Sequence, residues 1–518
     1  MNRPRRSASS RRIPAAADTE VELKLRLPQQ RLREALALPL LRSAHGSATR
    51  KLAATYFDTP TLELSQRRIA LRVRREGRRW VQAVKGGGST LSGVHQRLEI
   101  ENVLRNAQPD LSVLPRHAVT RILRSRKVRE SLLPVMHTEI TRTVRLIEPA
   151  PGVQIEVAID RGVIRSGRRR ERVCEIELEL KSGALSALFD LAQQLLQVLP
   201  VALEHRSKAE RGYDLFRGQA APPAKAVPVI LDPGMNAGQS FLAITATALA
   251  QIQANERGVL DSPDPEYLHQ MRVGIRRLRS AFRLFRDQLG DAAAPQTEAL
   301  RNLGAVLGPV RDWDVFVTET LPAVRPVLAA HVAAETFDQW CQTSRRGTRA
   351  ALKKSIKTTN YVDFMIEMGR WLAVFRDHDE ARWQQPATAC ATRILAACHA
   401  RVLKRGRRLD RRSAAELHRL RIAIKQLRYA VGFFSSLYSA RGMAAMHDRL
   451  ALLQDILGRI NDAATVRQLL VAPTAENREV IAAAGIVIGW CEAHAEAERG
   501  ALLPAWRRFR AVRPPWRE

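Results

Sequence analysis

Charged and aliphatic residues alternate along several short segments of the first 217 residues, and this alternation restricts the fold more than any other feature. As a strand, Glu20–Leu25 would place two glutamates and Lys24 on one face and aliphatic residues on the other. Cys174–Lys181 repeats the pattern with three glutamates, whereas Ile69–Arg75 carries arginines in phase. A strand face exposed to water normally mixes acids, bases and neutral polar residues. A closed sheet with a charged interior accounts better for strands that carry one kind of charge.

The same periodicity predicts a series of short strands with two helices. The helices are predicted over Gln29–Leu41 and Leu185–Val198. The cluster Gly86–Gly88 follows Lys85 and precedes no helical pattern, so it predicts a flexible turn and not a phosphate-binding loop. The predicted strands are Glu20–Leu25, Lys51–Asp58, Ile69–Arg75, Trp80–Lys85, Gln96–Glu101, Thr138–Leu146, Gln154–Asp160 and Cys174–Lys181.

The charge balance favours a polyanionic partner. Eighty-four lysines and arginines against 52 acids give a net charge of +32 and an isoelectric point near 11.2. Such a field concentrates nucleic acid, anionic membranes or polyphosphate. Aromatic residues make up only 5% of the chain, which disfavours a protein that stacks single-stranded bases. We therefore expect an anion without bases, and no specific nucleic acid partner.

The cysteines and the apolar segments predict a cytoplasmic protein. The five cysteines are scattered and form no Cys-x-x-Cys pair, which argues for reduced thiols and against a zinc site. No continuous apolar run reaches the roughly 20 residues that span a bilayer, and the longest, Val480–Cys491, predicts a buried helix. The N-terminus lacks the apolar core of a secretory signal. We expect no membrane partner.

The charged positions occur in an order that resembles the CYTH domain, also called the triphosphate tunnel metalloenzymes. The matching motifs begin with Glu20-x-Glu22-x-Lys24 and end with Ser207-Lys208 and Arg211-Gly212-Tyr213. One Glu-x-Glu-x-Lys motif is weak evidence, but the ordered set covers about 200 residues and is specific. The matching positions between these motifs are Arg72, Arg74, Lys85, Arg97, Glu99, Arg142, Glu156, Asp160, Glu175, Glu177 and Glu179.

The resemblance implies an eight-stranded antiparallel tunnel with flanking helices. It also implies a metal-dependent inorganic triphosphatase, with Mg²⁺ or Mn²⁺ as cofactor, that splits tripolyphosphate into pyrophosphate and phosphate. The implied metal ligands are Glu20, Glu22, Glu99, Glu156, Asp160, Glu177 and Glu179. The implied substrate-binding residues are Lys24, Arg72, Arg74, Lys85, Arg97, Arg142, Lys208 and Arg211. The implied catalytic residues are Glu20, Glu22, Lys24, Glu177 and Glu179.

Composition divides the chain into a tail, two domains and a linker, so we expect an α+β multidomain protein. Residues 1–17 carry five arginines and no acid, which predicts a disordered basic tail. The strand-rich region covers residues 18–217. Residues 218–236 contain four prolines among small residues and predict a linker. Residues 237–515 are rich in alanine, leucine and arginine at helical spacing and predict an all-α domain.

An internal repeat lies within the helical region. His269–Arg279 matches His418–Arg428, and in both copies a histidine and three cations recur at spacings of 3, 4 and 3. These spacings place the four side chains on one helical face. A second pair of matching helices ends in Gly308–Asp312 and Gly458–Asp462. Like charges at such spacings destabilise a helix by roughly 0.2–0.5 kcal/mol per pair, so a repeated cationic face without acids predicts an anionic partner.

The repeat resembles the CHAD domain, the conserved histidine α-helical domain. The resemblance implies two pseudo-symmetric helical bundles, here about 237–385 and 386–515, that bind inorganic polyphosphate along a basic groove. The second copy has Lys425-Gln426 where the first has Arg276-Arg277, which predicts weaker phosphate contacts in that copy. The implied polyphosphate-binding residues are His269, Arg272, Arg276, Arg279, His418, Arg421, Lys425 and Arg428.

Three classes of function follow from these patterns. The leading hypothesis is the inorganic triphosphatase with an appended polyphosphate-binding domain, in the cytoplasm or at polyphosphate granules. A related enzyme would act on thiamine triphosphate or nucleoside triphosphates, or would be an adenylate cyclase. The other classes are a non-catalytic protein that binds polyphosphate or its granules, and a nucleic-acid binder that uses the positive charge.

Overall fold

A mainly β unit and a helical unit make up the chain, over Met1–Ala221 and Pro222–Glu518. The computed structural model describes residues 18–42, 46–91, 94–331, 334–356, 359–376, 380–409, 412–471 and 477–517. The predicted basic tail, residues 1–17, lies outside the described residues.

Eight antiparallel strands close into a barrel in the described part of the first unit. The strands of this unit are β1 (Asp18–Arg26), β2 (Ala48–Asp58), β3 (Ala70–Glu76), β4 (Arg79–Leu91), β5 (Val94–Leu104), β6 (Leu133–Ala150), β7 (Val153–Ser166), β8 (Arg169–Ser182) and the short β9 (Ala202–Leu203). Around the barrel they follow the order β5-β4-β3-β2-β6-β7-β8-β1, and β5 pairs with β1 to close the sheet. The predicted closed antiparallel barrel is confirmed.

The strand register turns the charged residues of neighbouring strands toward the barrel interior. Lys24 on β1 lies opposite Glu177 on β8, and Lys85 on β4 lies opposite Glu99 on β5. Residues directly opposite each other in a ladder point to the same face of the sheet. The alternate aliphatic residues, such as Leu71, pack outside the barrel in a core with the segment between β5 and β6. Burying each large aliphatic side chain there stabilises the barrel by about 1.5–3 kcal/mol.

The glycine cluster Gly86–Gly88 lies inside strand β4, so the predicted turn is wrong. The pairing of β4 with β5 shifts register between Gly86 and Ser89, which makes the cluster a bulge. Gly88 has a φ of +100°, and a Cβ atom on it would lie 1.9 Å from the carbonyl oxygen of Gln96. Only glycine fits this close approach, and the bulge lets one long strand bend around the barrel.

The helices of the first unit are short except for two. Only Leu32–Ala37 of the predicted helix Gln29–Leu41 is α-helical, because Pro39 forces Leu38 into an extended conformation. The predicted helix Leu185–Val198 is confirmed over Ser186–Val198. The helices are α1 (Leu32–Ala37), α2 (Glu63–Gln66), α3 (Arg126–Glu130), α4 (Ser186–Val198) and α5 (Lys208–Arg217).

Helix α5 fills one end of the barrel interior. It begins with a capping box in which Ser207 and Glu210 satisfy each other's backbone N–H groups. Its residues Ala209 and Tyr213 pack in an apolar cluster with inward-facing residues such as Tyr56. Because this end of the barrel is apolar and filled, the charged residues surround the remaining part of the interior.

The second unit is helical, as predicted. Its helices are α6 (Ala237–Asp261), α7 (Pro265–Leu284), α8 (Arg286–Leu289), α9 (Ala294–Val315), α10 (Leu321–Ala329), α11 (Ala334–Ile356), α12 (Thr359–Arg376), α13 (Ala381–Gln384), α14 (Ala387–Arg405), α15 (Ala414–Phe434), α16 (Ala440–Val471) and α17 (Arg478–Arg510). Helix α6 packs on α7 as α14 packs on α15, and α7 also packs on α15. The two helices that carry the repeated motif are therefore neighbours.

The second part of the predicted linker lies against the helical unit. The backbone of Ala224 exchanges two hydrogen bonds with the side chain of Asn255, and Leu231 does the same with Ser436. Asn236 then caps α6 through its side chain. From residue 222 onward, the segment therefore packs on the helical unit and is held there by hydrogen bonds to side chains.

Helix α17 has an apolar stretch long enough to cross a membrane by length and composition, a property found for no other described helix. Val480, Val487 and Cys491 of this helix pack in a core cluster with Trp313 and Phe337. Core helices of large domains meet the same criteria of length and composition. The predicted burial of this apolar segment holds for the face that carries these side chains.

Candidate functional site

Glu177 lies at the centre of a buried network of opposite charges inside the barrel. Its carboxylate contacts Lys24 at 3.0 Å and Lys208 at 2.9 Å, and it accepts a hydrogen bond from Arg142. Burial alone would raise the pKa of Glu177, but Lys208, Lys24 and Arg142 outweigh burial and hold this pKa well below its usual value. Burial would likewise lower the pKa of Lys24, but the surrounding glutamates raise it well above normal. Both groups are therefore charged at neutral pH.

A group of three buried carboxylates surrounds Lys208, the first residue of α5. Asp160, Glu175 and Glu177 bring oxygen atoms within 4.8 Å of one another, and no other such group of metal-type ligands occurs among the described residues. The Nζ atom of Lys208 lies within 2.9 Å of an oxygen of each carboxylate. The donors suit a hard divalent cation. In this arrangement, however, the lysine ammonium supplies the positive charge that the three carboxylates need.

The opposite wall of the barrel carries a second set of ion pairs. Lys85 Nζ contacts Glu20 at 2.6 Å and Glu99 at 3.0 Å, and Arg72 contacts Glu99 at 2.9 Å. Burial would raise the pKa of Glu99, but Lys85 and Arg72 lower it to about 2. Each predicted metal ligand on this wall is thus in contact with a predicted phosphate-binding cation.

A cavity of about 480 Å³ lies at the end of the barrel where β2 and β7 begin. The Nε atoms of Arg72 and Arg74 are buried and have no hydrogen-bond partner within the described ranges. Leaving a buried donor unpaired costs about 1–3 kcal/mol, so these guanidinium groups favour a ligand that brings acceptor atoms. The charged residues that line the cavity are Arg50, Arg74, Glu76, Arg142 and Glu156.

A row of carboxylates crosses three neighbouring strands near this cavity. Glu22 lies opposite Glu179, and Glu179 lies opposite Glu156. Burial raises the pKa of Glu179, and Glu20 and Glu156 add to that effect, although Lys181 contacts Glu179 at 2.6 Å. Carboxylates opposite one another repel, so this outer acidic row (Glu22, Glu156 and Glu179) favours an additional cation, although Lys24 contacts Glu22 at 2.7 Å.

Two predicted substrate-binding arginines hold helix α5 in place. Arg97 contacts Glu210 on α5 at 3.2 Å. Arg211 on α5 contacts Glu171 at 2.9 Å and Glu175 at 2.7 Å, and its side chain is only 4% exposed. Neither arginine lines the cavity. Their observed contacts position α5, and their predicted contact with substrate stays a prediction.

The interior also contains charged residues that were absent from the predicted site. Glu175 joins the group around Lys208, Glu101 contacts Arg72 at 3.6 Å, and Arg50 lines the cavity. Glu175 and Glu101 alternate in phase with predicted site residues on the same strands, so this alternation could have identified them. Arg50 precedes the predicted start of its strand, so the alternation along that strand gives no signal for it. The predicted residues that face the interior are Glu20, Glu22, Lys24, Arg72, Arg74, Lys85, Arg97, Glu99, Arg142, Glu156, Asp160, Glu177, Glu179 and Lys208.

In the helical unit, the cationic faces of α7 and α15 form one cluster. We call Arg272, Arg276, Arg421 and Lys425 the cationic cluster. Burial and the neighbouring Arg421 and Arg276 lower the pKa of Lys425 to about 7. Burial also lowers the pKa of Arg272, to about 10, and Arg276 adds to this effect against Asp312. The Nε atoms of Arg276 and Arg421 are buried without a hydrogen-bond partner in the part of the chain that the structure describes.

The other predicted residues of this unit lie beside the cationic cluster. Burial and Arg311 lower the pKa of His269. His418 Nδ1 lies 2.6 Å from the side-chain oxygen of Asn461. Arg279 is close enough to contribute to the lowered pKa of Arg272, and Arg428 Nε makes a long contact of 3.4 Å with His447. His269 and Arg279 therefore lie close to the cluster, whereas His418 and Arg428 have partners on α16.

The difference between Arg277 and Gln426 does not affect this cluster. Gln426 turns toward α14, where it accepts a hydrogen bond from Arg401 at 3.0 Å. Arg277 turns toward α6 and donates to Gln251 at 3.1 Å. The two halves thus contain the same arginine–glutamine pair with the partners exchanged between helices. The prediction of weaker contacts in the second copy therefore rests on Lys425 alone.

Comparisons with known proteins agree with this architecture. Residues 18–213 match the CYTH domain family and residues 243–471 match the CHAD domain family. The chain is therefore a CYTH-domain protein with a C-terminal CHAD domain. Its helical unit is similar to the crystal structure of the CHAD domain from the plant Ricinus communis, with 32% identity and a TM-score of 0.51 over 57% of this chain and 98% of that chain.

Two curated relatives resemble the chain to different extents. A Haemophilus influenzae protein named inorganic triphosphatase is 34% identical over 164 residues, or 31% of this chain. The chain spans less than half of that relative, since the match covers 45% of its length. An uncharacterized Mycobacterium tuberculosis protein is 25% identical over 453 residues, which is 82% of each chain.

Proposed function

We propose that the first unit is a metal-dependent inorganic triphosphatase that hydrolyses tripolyphosphate to pyrophosphate and phosphate. The observation that carries the proposal is the charged cavity, where Arg74 and Arg142 from separate strands meet carboxylates and where a buried Nε lacks an acceptor. A chain of phosphate groups can accept hydrogen bonds from several cations at once. The similarity to a relative named inorganic triphosphatase supports the same reaction.

A divalent cation, Mg²⁺ or Mn²⁺, fits the outer acidic row. Glu22, Glu179 and Glu156 are adjacent in the register, offer only oxygen donors and repel one another. The carboxylates around Lys208 lie closest together, but a single ammonium group there contacts all three, whereas in the outer row Lys24 contacts Glu22 and Lys181 contacts Glu179 separately. When bound, the metal supplies charge neutralisation and lowers the pKa of a bound water.

The chain's own cations would hold the phosphate chain and stabilise the leaving group. Phosphate oxygens would replace Glu20 and Glu99 as partners of Lys85, and would pair with the unsatisfied Nε of Arg72. Water then attacks the terminal phosphorus in line and passes a proton to an interior carboxylate, so that one P–O bond forms while the anhydride P–O bond breaks and pyrophosphate leaves. Positioning and charge neutralisation suffice for this step, and no covalent nucleophile is needed.

The proposal predicts selective, metal-dependent turnover of tripolyphosphate. Phosphate release is measured from tripolyphosphate, ATP, thiamine triphosphate and long-chain polyphosphate, each with Mg²⁺, Mn²⁺ or a chelator. We expect kcat/KM for tripolyphosphate to exceed the others by at least about tenfold, and chelation to abolish it. A preference for ATP or thiamine triphosphate would favour the related enzymes. Absence of turnover with every substrate would favour a non-catalytic binding protein.

We also propose that the helical unit binds inorganic polyphosphate and keeps the enzyme in the cytoplasm, at polyphosphate granules. The cationic cluster, with unpartnered buried Nε atoms on Arg276 and Arg421, supports a polyanionic ligand. A nucleic-acid binder would use the same charge without selectivity. DNA should therefore compete poorly with polyphosphate at equal phosphate concentration and physiological salt, and effective competition would contradict the proposal.

Polyphosphate affinity is expected to fall as the pH rises above 7. Lys425, whose pKa burial and adjacent arginines lower to about 7, is protonated below this pH and neutral above it. A bound polyanion favours the protonated form of Lys425. Above pH 7, Lys425 therefore takes up a proton when polyphosphate binds. The dissociation constant should rise by up to about tenfold per pH unit between pH 7.5 and 9.5, a range above the usual pKa of histidine. Calorimetry in buffers of different ionisation enthalpy measures both the affinity and the proton uptake.

The matched control is Lys425→Arg, which restores the residue type of Arg276 in the first copy. Because arginine stays charged throughout this range, the variant should bind with nearly constant affinity and without proton uptake. The same pH dependence in this variant would assign the titration to another group.

A further inference from the structure

Arg50 on β2 differs from the other arginines of the cavity. Arg74 contacts Glu76 and Glu101, and Arg142 contacts buried carboxylates. Arg50 lines the same cavity but forms no ion pair with any carboxylate of the described ranges. Its side chain is exposed, so a ligand that enters the cavity can reach it. Its charge is thus available to a bound anion.

The strand register also places Arg50 where an anion in the cavity would contact it. Arg50 lies directly opposite Arg142 across the β2–β6 ladder. Two like charges in directly opposite positions repel, whereas an anion that contacts both would turn this repulsion into attraction. Arg50 also has the parity of Ala48 and Leu52, which line the cavity, while its neighbour Lys51 points to the other face. Arg50 and Lys51 each carry one positive charge on the same strand, but they lie on opposite faces of the sheet.

We propose that Arg50 binds the phosphate group of the substrate that lies nearest the open end of the barrel. The inference rests on the proposed triphosphatase function and adds a residue that selects chain length. The inner cations, such as Lys85 and Arg72, bind two phosphate groups, and the third phosphate group of tripolyphosphate contacts Arg50. Arg50 therefore favours binding of tripolyphosphate over its product pyrophosphate.

The test compares Arg50→Gln with wild type in steady-state hydrolysis of tripolyphosphate, with pyrophosphate as inhibitor. We expect KM for tripolyphosphate to rise about tenfold, kcat to change less than about threefold and the inhibition constant of pyrophosphate to change less than about twofold. Arg50→Lys should restore most of the lost affinity, since it keeps the charge. Lys51→Gln, which removes the same charge from the opposite face, should behave as wild type.

An unchanged KM, equal weakening of substrate and pyrophosphate, an equal effect of Lys51→Gln, or no rescue by Arg50→Lys would each overturn the inference. If wild type hydrolyses no tripolyphosphate, the proposed reaction fails separately. The affinities of the same variants for tripolyphosphate and pyrophosphate, measured by calorimetry, then decide the role of Arg50, with the same fold-changes expected.

Discussion

Replacing Glu177 with glutamine should lower tripolyphosphate hydrolysis at least about 1,000-fold and lower the free energy of unfolding by about 3 kcal/mol. The side chain keeps its shape, but Lys24, Lys208 and Arg142 lose the carboxylate that they share. These cations then repel one another in a buried site, and the remaining carboxylates must compensate. Urea unfolding and steady-state hydrolysis measure the two effects.

The stability effect should also depend on pH with a defined sign. The pKa of Glu177 is lowered in the folded protein, so its ion pairs contribute stability above the unfolded-state value, near 4.3. This contribution is lost as the pH falls through the folded-state pKa. The difference in free energy of unfolding between wild type and Glu177→Gln should therefore be largest near neutral pH and shrink in strong acid.

Two other glutamates provide the contrast. Glu139→Gln alters an exposed residue on β6 whose ion pair with Arg165 is 3.8 Å long, so stability and activity should change little. Glu20→Gln should cost activity with little loss of stability, because Lys85 keeps Glu99 as a partner. Retained hydrolysis in Glu177→Gln, with folding shown to be intact, would refute the assignment of the barrel interior as the active site.

Strand parity in the sequence predicted which faces carry charge, and the barrel confirms this. Parity does not reveal which strands are neighbours. Lys24 and Glu177 are more than 150 residues apart, and only the closure of the sheet makes them partners. The same limitation explains Lys208, predicted as a phosphate ligand but placed by α5 among three carboxylates. Contacts between a helix and a sheet depend on the path of the chain, which has no periodic signal.

Two other predictions were wrong because the neighbouring elements decide the role of a residue. Gly86–Gly88 has the composition of a turn, but pairing with β5 on both sides of the cluster keeps it in a strand as a bulge. The repeat aligns Gln426 with Arg277 and therefore predicts a lost cation at this position. In the structure, both residues lie off the cationic face and pair with α14 and α6, respectively. An alignment of two copies shows which positions correspond, but the direction of each side chain depends on the neighbouring helix.

The cationic cluster of the helical unit should lose polyphosphate binding and gain stability when its charges are removed. In the fourfold variant Arg272→Gln, Arg276→Gln, Arg421→Gln and Lys425→Gln, we expect affinity for polyphosphate to fall at least about 1,000-fold, because each charge-assisted hydrogen bond contributes about 1.5–3 kcal/mol. Affinity is measured by calorimetry at fixed salt.

The expected gain in stability follows from the lowered pKa values. Burial, together with the adjacent arginines, lowers the pKa of Lys425 to about 7, and burial and Arg276 lower that of Arg272 to about 10. A cation whose pKa is lowered on folding destabilises the folded state wherever it remains charged. Because one pKa unit corresponds to about 1.4 kcal/mol, removing the four charges should raise the free energy of unfolding by at least about 1 kcal/mol. Without a bound anion, the cationic cluster therefore lowers the free energy of unfolding of this unit.

A matched variant removes the same number of charges elsewhere in the unit. It replaces four exposed arginines that each contact an acid, so it should bind polyphosphate with less than about tenfold loss and gain no stability. Loss of stability in the cluster variant would show that its cations support the fold, and equal loss of affinity in both would show that net charge alone attracts the polyanion. The residues of the matched variant are Arg257, Arg325, Arg467 and Arg499, each replaced by glutamine.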